Sequence, residues 1–307
     1  MRLIFMGTPD FAVPCLEKLI KSGEEVVGAF TQPDKKVGRK QILTAPPVKE
    51  LAMESGIPVY QPNSLRSEET LKLIKSLRPD LIVVVAYGKI LPKAVLEVPP
   101  LGCVNVHGSL LPKYRGAAPI QWSVINGENV TGITTMYMNE GLDTGDMILK
   151  AETQIGENET TGELFDRLSE LGAELLVKTI RQIKDGTALR EKQNDAEVTF
   201  APMLDKTISN IEWRKTAQEI HNLIRGLNPW PVALTSLGGK AMKIYRTQMV
   251  VPRNGKAGEV LSLKPFIVSC GGGTAIEILE VQMEAKKRML AEDFIRGQKI
   301  EIGTILG

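Results

Sequence analysis

Only two histidines occur among 307 residues, and one of them, His107, closes an apolar run in a chemically suggestive place. The run reads Cys103-Val104-Asn105-Val106-His107, with Gly108 and Ser109 directly after it. Side chains alternate along a strand, so Asn105 and His107 share one face, two residues apart. In an open α/β sheet the carboxyl ends of the strands form the ligand crevice. A carboxamide and an imidazole side by side there offer two hydrogen-bond donors, one of them able to carry charge near neutral pH. Such a pair suits the oxyanion that forms when an amine attacks a carbonyl carbon. The alternative is a satisfied core histidine on a buried strand. The adjacent Asn and the Gly-Ser loop favour the site.

A second polar stretch, Asn139-Glu140-Gly141-Leu142-Asp143-Thr144-Gly145-Asp146, has glycines that allow tight turns and close ligand approach. Either Asp143 or Asp146 has the chemistry to orient an imidazole or receive the proton of an attacking amine. An ordinary Asx-rich turn is the competing reading. Other chemistries lack their residues. The His107-Gly108-Ser109-Leu110-Leu111 segment misses the second glycine of a nucleophile elbow. Gly7 follows the first apolar run, but no GxGxxG is present and Pro9 occupies the loop, and no phosphate-binding GxxxxGK[ST] occurs. Two distant histidines and three scattered cysteines offer no metal cluster, so no metal is expected. Cys15, Cys103 and Cys270 stand among apolar neighbours and read as buried packing. Their lack of paired spacing argues against disulfides and for a cytoplasmic protein.

The elements that would position these groups follow from periodicity. Residues 3–6, 26–30, 81–86 and 103–107 are short, β-branched apolar runs, and helical patterns at 11–21, 47–55 and 68–76 alternate with them. That order predicts a mostly parallel sheet with helices on both faces, a Rossmann-like α/β domain. Segments 132–138 and 147–153 follow without an intervening helix and predict an antiparallel edge. Thr160 and Glu163 make a capping box for a long helix that Gly186 ends. Residues 187–209 then become polar and lose their period. Thr216 and Glu219 form another capping box, and strand-like runs at 242–246, 259–263, 266–270 and 275–281 predict a small β-barrel. The expected division is a first domain over 1–189, a linker over 190–206 and a second domain over 207–307. No apolar run reaches the roughly 20 residues of a membrane span.

Charge is unevenly spread. Residues 206–307 carry 15 basic against 9 acidic side chains, whereas 1–205 carry 23 against 27. A basic final third hints at a polyanionic partner. Lys35, Lys36, Arg39 and Lys40 add a basic loop able to grip phosphates, with a solvated loop as the plainer explanation.

Asn105 to Pro112, Arg115 to Gln121 and the Gly141-Leu142-Asp143-Thr144-Gly145-Asp146 loop together resemble the signature of the folate-dependent formyltransferases. Within that family, Phe5 to Ala12, Phe30 to Asp34, Ile224 to Pro231 and Lys286 to Met289 resemble the branch that acts on a charged tRNA. The second domain is absent from the branch acting on glycinamide ribonucleotide. The resemblance implies Asn105, His107 and Asp143 as the catalytic trio and 10-formyltetrahydrofolate as formyl donor and co-substrate. It implies a folate pocket formed by Ser109, Leu110, Leu111 and Pro112, with Tyr87 and Ile90 as walls by position. It also implies an OB-fold-like second domain and initiator methionyl-tRNA as acceptor. Arg39 is then a tRNA contact, while Lys35, Lys36 and Lys40 are supported by charge. A monomer is expected. Two competing readings remain at this point: a formyltransferase acting on a small nucleotide-linked amine, and a nucleic-acid-binding protein with an inert α/β domain.

Overall fold

The computed structural model describes residues 1–38 and 41–307. The chain forms two compact units that interleave in sequence. The first comprises Met1–Gly116, Gly132–Thr153 and Phe165–Phe200, and the second Ala117–Thr131, Gln154–Leu164 and Ala201–Gly307. The segment expected to be a linker is therefore shared: residues up to Phe200 belong to the first unit.

In the first unit β1 (Arg2–Gly7), β2 (Glu25–Phe30), β5 (Val59–Tyr60), β6 (Leu81–Val85) and β7 (Cys103–His107) run parallel. β9 (Val130–Tyr137) pairs antiparallel with β7, and β10 (Met147–Gln154) lies outside it, in the order β10-β9-β7-β6-β1-β2-β5. The antiparallel edge is where the sequence places it. Two further strands, β8 (Arg115–Gly116) and β11 (Phe200–Ala201), are two residues long.

Both faces of the sheet are buried, the mark of a parallel sheet covered by helices. Ile4, Met6, Phe30, Ile82, Val84 and Cys103 pack on one face with Ile74 of α3 (Glu68–Ser76) and Val95 of α4 (Lys93–Leu96). The other face presents Leu3, Phe5, Val83, Val104 and Val106, all buried. There α6 (Thr161–Lys184) brings Gly172 close to Val106 and Ile133, so a side chain at that position would meet the sheet. α1 (Val13–Lys21) and α2 (Pro47–Glu54) complete the helices of this unit.

The stretch read as a basic loop is partly a hairpin: β3 (Lys35–Val37) pairs antiparallel with β4 (Ile42–Thr44). Its strands are exposed, and its base is tied down where Lys49 and Gln61 both bond Asp34. The Lys49 ammonium holds the Asp34 carboxyl below its ordinary range.

The second unit is built on an antiparallel sheet. β12 (Ala233–Leu237), β13 (Lys240–Met249), β16 (Ala275–Met283), β15 (Phe266–Ser269) and β14 (Val260–Leu263) follow in that order, and β17 (Met289–Leu290) pairs with β16. α7 (Ala217–Gly226) starts with the expected Thr216–Glu219 capping box. Its Ile220 and Ile224 join Met242, Ile244, Val268, Ile276 and Phe294 in one core, the last from α8 (Ala291–Arg296). α5 (Pro119–Ile125) packs against α7.

His221 and Arg225 of α7 both reach the 156–159 turn. His221 Nε2 lies 3.1 Å from the Glu157 carbonyl oxygen, and Arg225 donates to the carbonyls of Gly156 and Glu159. Burial pushes the His221 imidazole below its ordinary range. The three cysteines are buried free thiols, as expected, and burial raises Cys103 and Cys270 to about 12. Among the described residues no helix is long and apolar enough to cross a membrane.

Candidate active site

At the carboxyl ends of the parallel strands the first unit gathers polar groups. Strand order reverses around β1, since the chain proceeds through β2 to β5 on one side and resumes at β6 on the other. Crevices for ligands form at such switch points. There the Tyr87 carbonyl accepts from Thr8 Oγ1 at 3.1 Å and from Gln32 Nε2 at 3.0 Å, which ties the ends of β1, β2 and β6 together.

β7 ends at this edge with His107, and Asn105 stands two residues earlier on the same face. Asn105 is half-buried, and its carboxamide makes no hydrogen bond among the described residues. His107 is buried, hydrogen-bonded at one ring nitrogen and faced by a carboxylate at the other. Nε2 lies 2.9 Å from the Tyr114 carbonyl oxygen, and Nδ1 lies 3.7 Å from Asp143 Oδ2. A carbonyl only accepts, so Nε2 is the donor to Tyr114, while Nδ1 faces the Asp143 carboxylate across a gap longer than a hydrogen bond.

Sequence alone left Asp143 and Asp146 open. The structure separates them: Asp143 faces His107, whereas Asp146 lies 3.7 Å from Arg190. The Asp143 carboxylate also accepts the Gly116 N–H at 2.9 Å. Its backbone sits in the left-handed region at φ 52°, and Tyr114 does so at φ 61°. For non-glycine residues this costs roughly 1–2 kcal/mol each. Gly145 is needed in the same loop, because a Cβ there would strike the Tyr137 carbonyl group.

The 109–112 segment turns mostly inward. Ser109 is fully buried and donates to the Lys113 carbonyl at 2.7 Å. Its own carbonyl accepts from Thr134 Oγ1, which in turn accepts from the Leu111 N–H. Leu111 packs with Met136 and Met147, and Pro112 is buried after a cis peptide bond. Leu110 is the member of the four that is half-exposed. Tyr87 is in the core, 1% exposed, while Ile90 is 79% exposed. Ala86 at φ 47° and Gly88 at φ 79° bend the chain on either side of Tyr87. Lys35 and Lys36 are exposed on β3, away from any ion pair among the described residues. Arg39 and Lys40 lie outside the described residues. Among those described, no group of three or more His, Cys, Asp or Glu side chains is placed to hold a metal.

Reading the sequence missed a second set of residues. Gln193 Nε2 donates to the main-chain carbonyls of Asp143 (2.7 Å) and Gly145 (2.8 Å), and its Oε1 accepts from Arg115 Nε at 2.9 Å. Arg115 is buried and also reaches Asp195. Thr199 accepts the Tyr114 N–H at its hydroxyl and the Arg115 N–H at its carbonyl. The only trace in the sequence was the resemblance that includes Arg115; nothing pointed to Gln193.

A mostly parallel sheet of this order, followed by a unit built on an antiparallel sheet, is the fold of the formyl transferases, and the chain belongs to the formyl transferase family. Residues 1–180 match the formyl transferase domain, and residues 203–299 match its C-terminal domain. The chain is 53% identical over 309 residues to a protein of Clostridioides difficile named methionyl-tRNA formyltransferase, covering 100% of both chains. It is 51% identical over 311 residues to one of the same name from Acetivibrio thermocellus, again covering 100% of both. Among solved structures, an N-formyltransferase from Helicobacter canadensis, in complex with folinic acid and dTDP-3-aminofucose, shares the fold. Its TM-score is 0.69 at 23% identity, covering 92% of this chain and 99% of that one.

Proposed function

We propose that this chain transfers the formyl group of 10-formyltetrahydrofolate to the free α-amino group of initiator methionyl-tRNA, giving N-formylmethionyl-tRNA for translation initiation. The observation that carries the chemistry is the His107–Asp143 contact beside the Asn105 carboxamide, which makes no hydrogen bond among the described residues. The acceptor rests on the full-length likeness to relatives named for it.

The amine nitrogen attacks the formyl carbon, and a new C–N bond forms as the carbonyl oxygen becomes an oxyanion. Asn105 stabilises that charge by donating to it, and the His107 imidazolium does so through its positive charge nearby. Asp143 keeps His107 charged and receives the amine proton, directly or through water. The bond from the formyl carbon to N10 of the folate then breaks, and N10 leaves with a proton. No side chain forms a covalent intermediate. The folate lies along the 109–112 turn, with Leu110 and main-chain groups toward it, and against the loop that carries Tyr87 and Ile90. Residues 1–189 act as the catalytic domain and 207–307 as an OB-fold-like tRNA-binding domain. The hairpin bearing Lys35 and Lys36 approaches the acceptor end of the tRNA, which Arg39 and Lys40 also contact. The enzyme works in the cytoplasm as a monomer.

The test offers 10-formyltetrahydrofolate with charged initiator tRNA, charged elongator tRNA, or an amino sugar nucleotide. Formyl transfer confined to the initiator is the expected result. Equal transfer to the amino sugar nucleotide overturns the acceptor assignment, and no transfer to any amine overturns the reaction.

A further inference from the structure

We infer that Gln193 is a positioning residue for Asp143, holding the loop so that the carboxylate meets His107. This rests on the reading of Asn105, His107 and Asp143 given above.

The contact is directional. Arg115 has only donors, so the amide oxygen of Gln193 must face it, and the amide NH₂ is left to face two carbonyls that only accept. A flipped amide would set donor against donor and acceptor against acceptor. Arg115, itself buried, thus fixes which way Gln193 points.

Three consecutive residues tie this clamp to the histidine. The Tyr114 carbonyl meets His107 Nε2, Arg115 orients Gln193, and the Gly116 N–H binds the Asp143 carboxylate. Asp143 is held from two sides, its carbonyl by Gln193 and its carboxylate by Gly116. A left-handed aspartate persists where its surroundings over-determine it, and the Gln193 clamp is one of the restraints on it. A displacement of about 1 Å in such a site costs on the order of 10²-fold in rate.

The informative substitution is Gln193→Glu. It keeps the shape and the Arg115 contact but turns the donor that grips Asp143 and Gly145 into an acceptor facing two carbonyls. Gln193→Met, similar in length and without hydrogen bonds, serves if the Glu variant does not fold. In single turnover, transfer from 10-formyltetrahydrofolate to methionyl-tRNA should slow by about 10–100-fold, with KM for tRNA changed by less than about threefold. Combined with Asp143→Asn, Gln193→Glu should add less than about threefold, because residues acting through one another are not additive. A normal rate in both Gln193 variants, or full multiplication of the two effects, overturns the positioning role. A normal rate for Asp143→Asn alone would instead overturn the underlying site.

Discussion

Replacing Asp143 by Asn changes one charge and almost no shape. The carboxylate lies 3.7 Å from Nδ1 of His107. At an effective dielectric constant of about 20, that separation corresponds to roughly 4–5 kcal/mol of attraction for an imidazolium. The Asp143 side chain is 15% exposed, so water screens part of it. Retaining about 3–4 kcal/mol gives two to three powers of ten in rate if the charged ring is what meets the oxyanion. General acid–base contributions span a similar range, about 10²–10⁴-fold. The Asn oxygen still accepts the Gly116 N–H, and Gln193 still holds the main chain, so stability should change by less than about 1 kcal/mol. The assay is single-turnover quench flow with enzyme in excess over methionyl-tRNA and saturating 10-formyltetrahydrofolate. A drop of about 10²–10³-fold with unchanged tRNA affinity is expected. A rate within about threefold of the parent would show that the Asp143 charge plays no part in the step.

Lys35→Ala with Lys36→Ala should weaken tRNA binding and flatten its salt dependence by roughly one unit of slope for each phosphate no longer neutralised; an unchanged slope by filter binding places the tRNA elsewhere. Gly132→Ala would press a Cβ onto the Ala151 carbonyl and to 2.6 Å from Leu110 Cδ2. Overpacking of that kind costs about 1–3 kcal/mol, measured as a lower urea midpoint at constant m. His221 has a folded pKa below its ordinary 6.5, so the unfolded chain binds its proton first as pH falls. Stability should be flat above pH 6.5, fall as pH drops below it, and level off beneath the depressed folded value, a slope that His221→Gln should reduce in urea titrations from pH 8 to 5.

Elements with a strong period are legible in the sequence and those held by single contacts are not. β7 and α3 occur over 103–107 and 68–76, as apolar alternation and the helical stripe require. The β3–β4 hairpin leaves no such signal because its strands are three residues long and exposed, so neither shows a buried face. The 190–206 stretch reads as a linker for a related reason. Its order comes from single main-chain and side-chain bonds to residues far away in sequence, such as Arg115 N–H to Thr199 and Gln193 to Asp143, which leave no periodic trace. Its distance after β6 puts Tyr87 near the pocket in the sequence. The positive φ of Ala86 breaks the strand's alternation, however, and the ring turns into the core.

The backbone strain around His107 follows from the same arrangement. Tyr114 and Asp143, both left-handed, supply the two acceptors that face the imidazole. One presents its main-chain carbonyl to Nε2 and the other its carboxylate to Nδ1. At roughly 1–2 kcal/mol each, two such residues consume a noticeable share of a stability that totals only about 5–15 kcal/mol for typical domains. Glycine would relieve the strain at either position. At Asp143 it would also remove the carboxylate, and at Tyr114 it would remove a ring that is 7% exposed. The cost is met instead by donors and acceptors from the 193–199 segment, where Gln193 grips one loop and Thr199 the other. A polar stretch with little regular structure thereby holds the histidine's two partners in place, and its removal should slow formyl transfer before it unfolds the sheet.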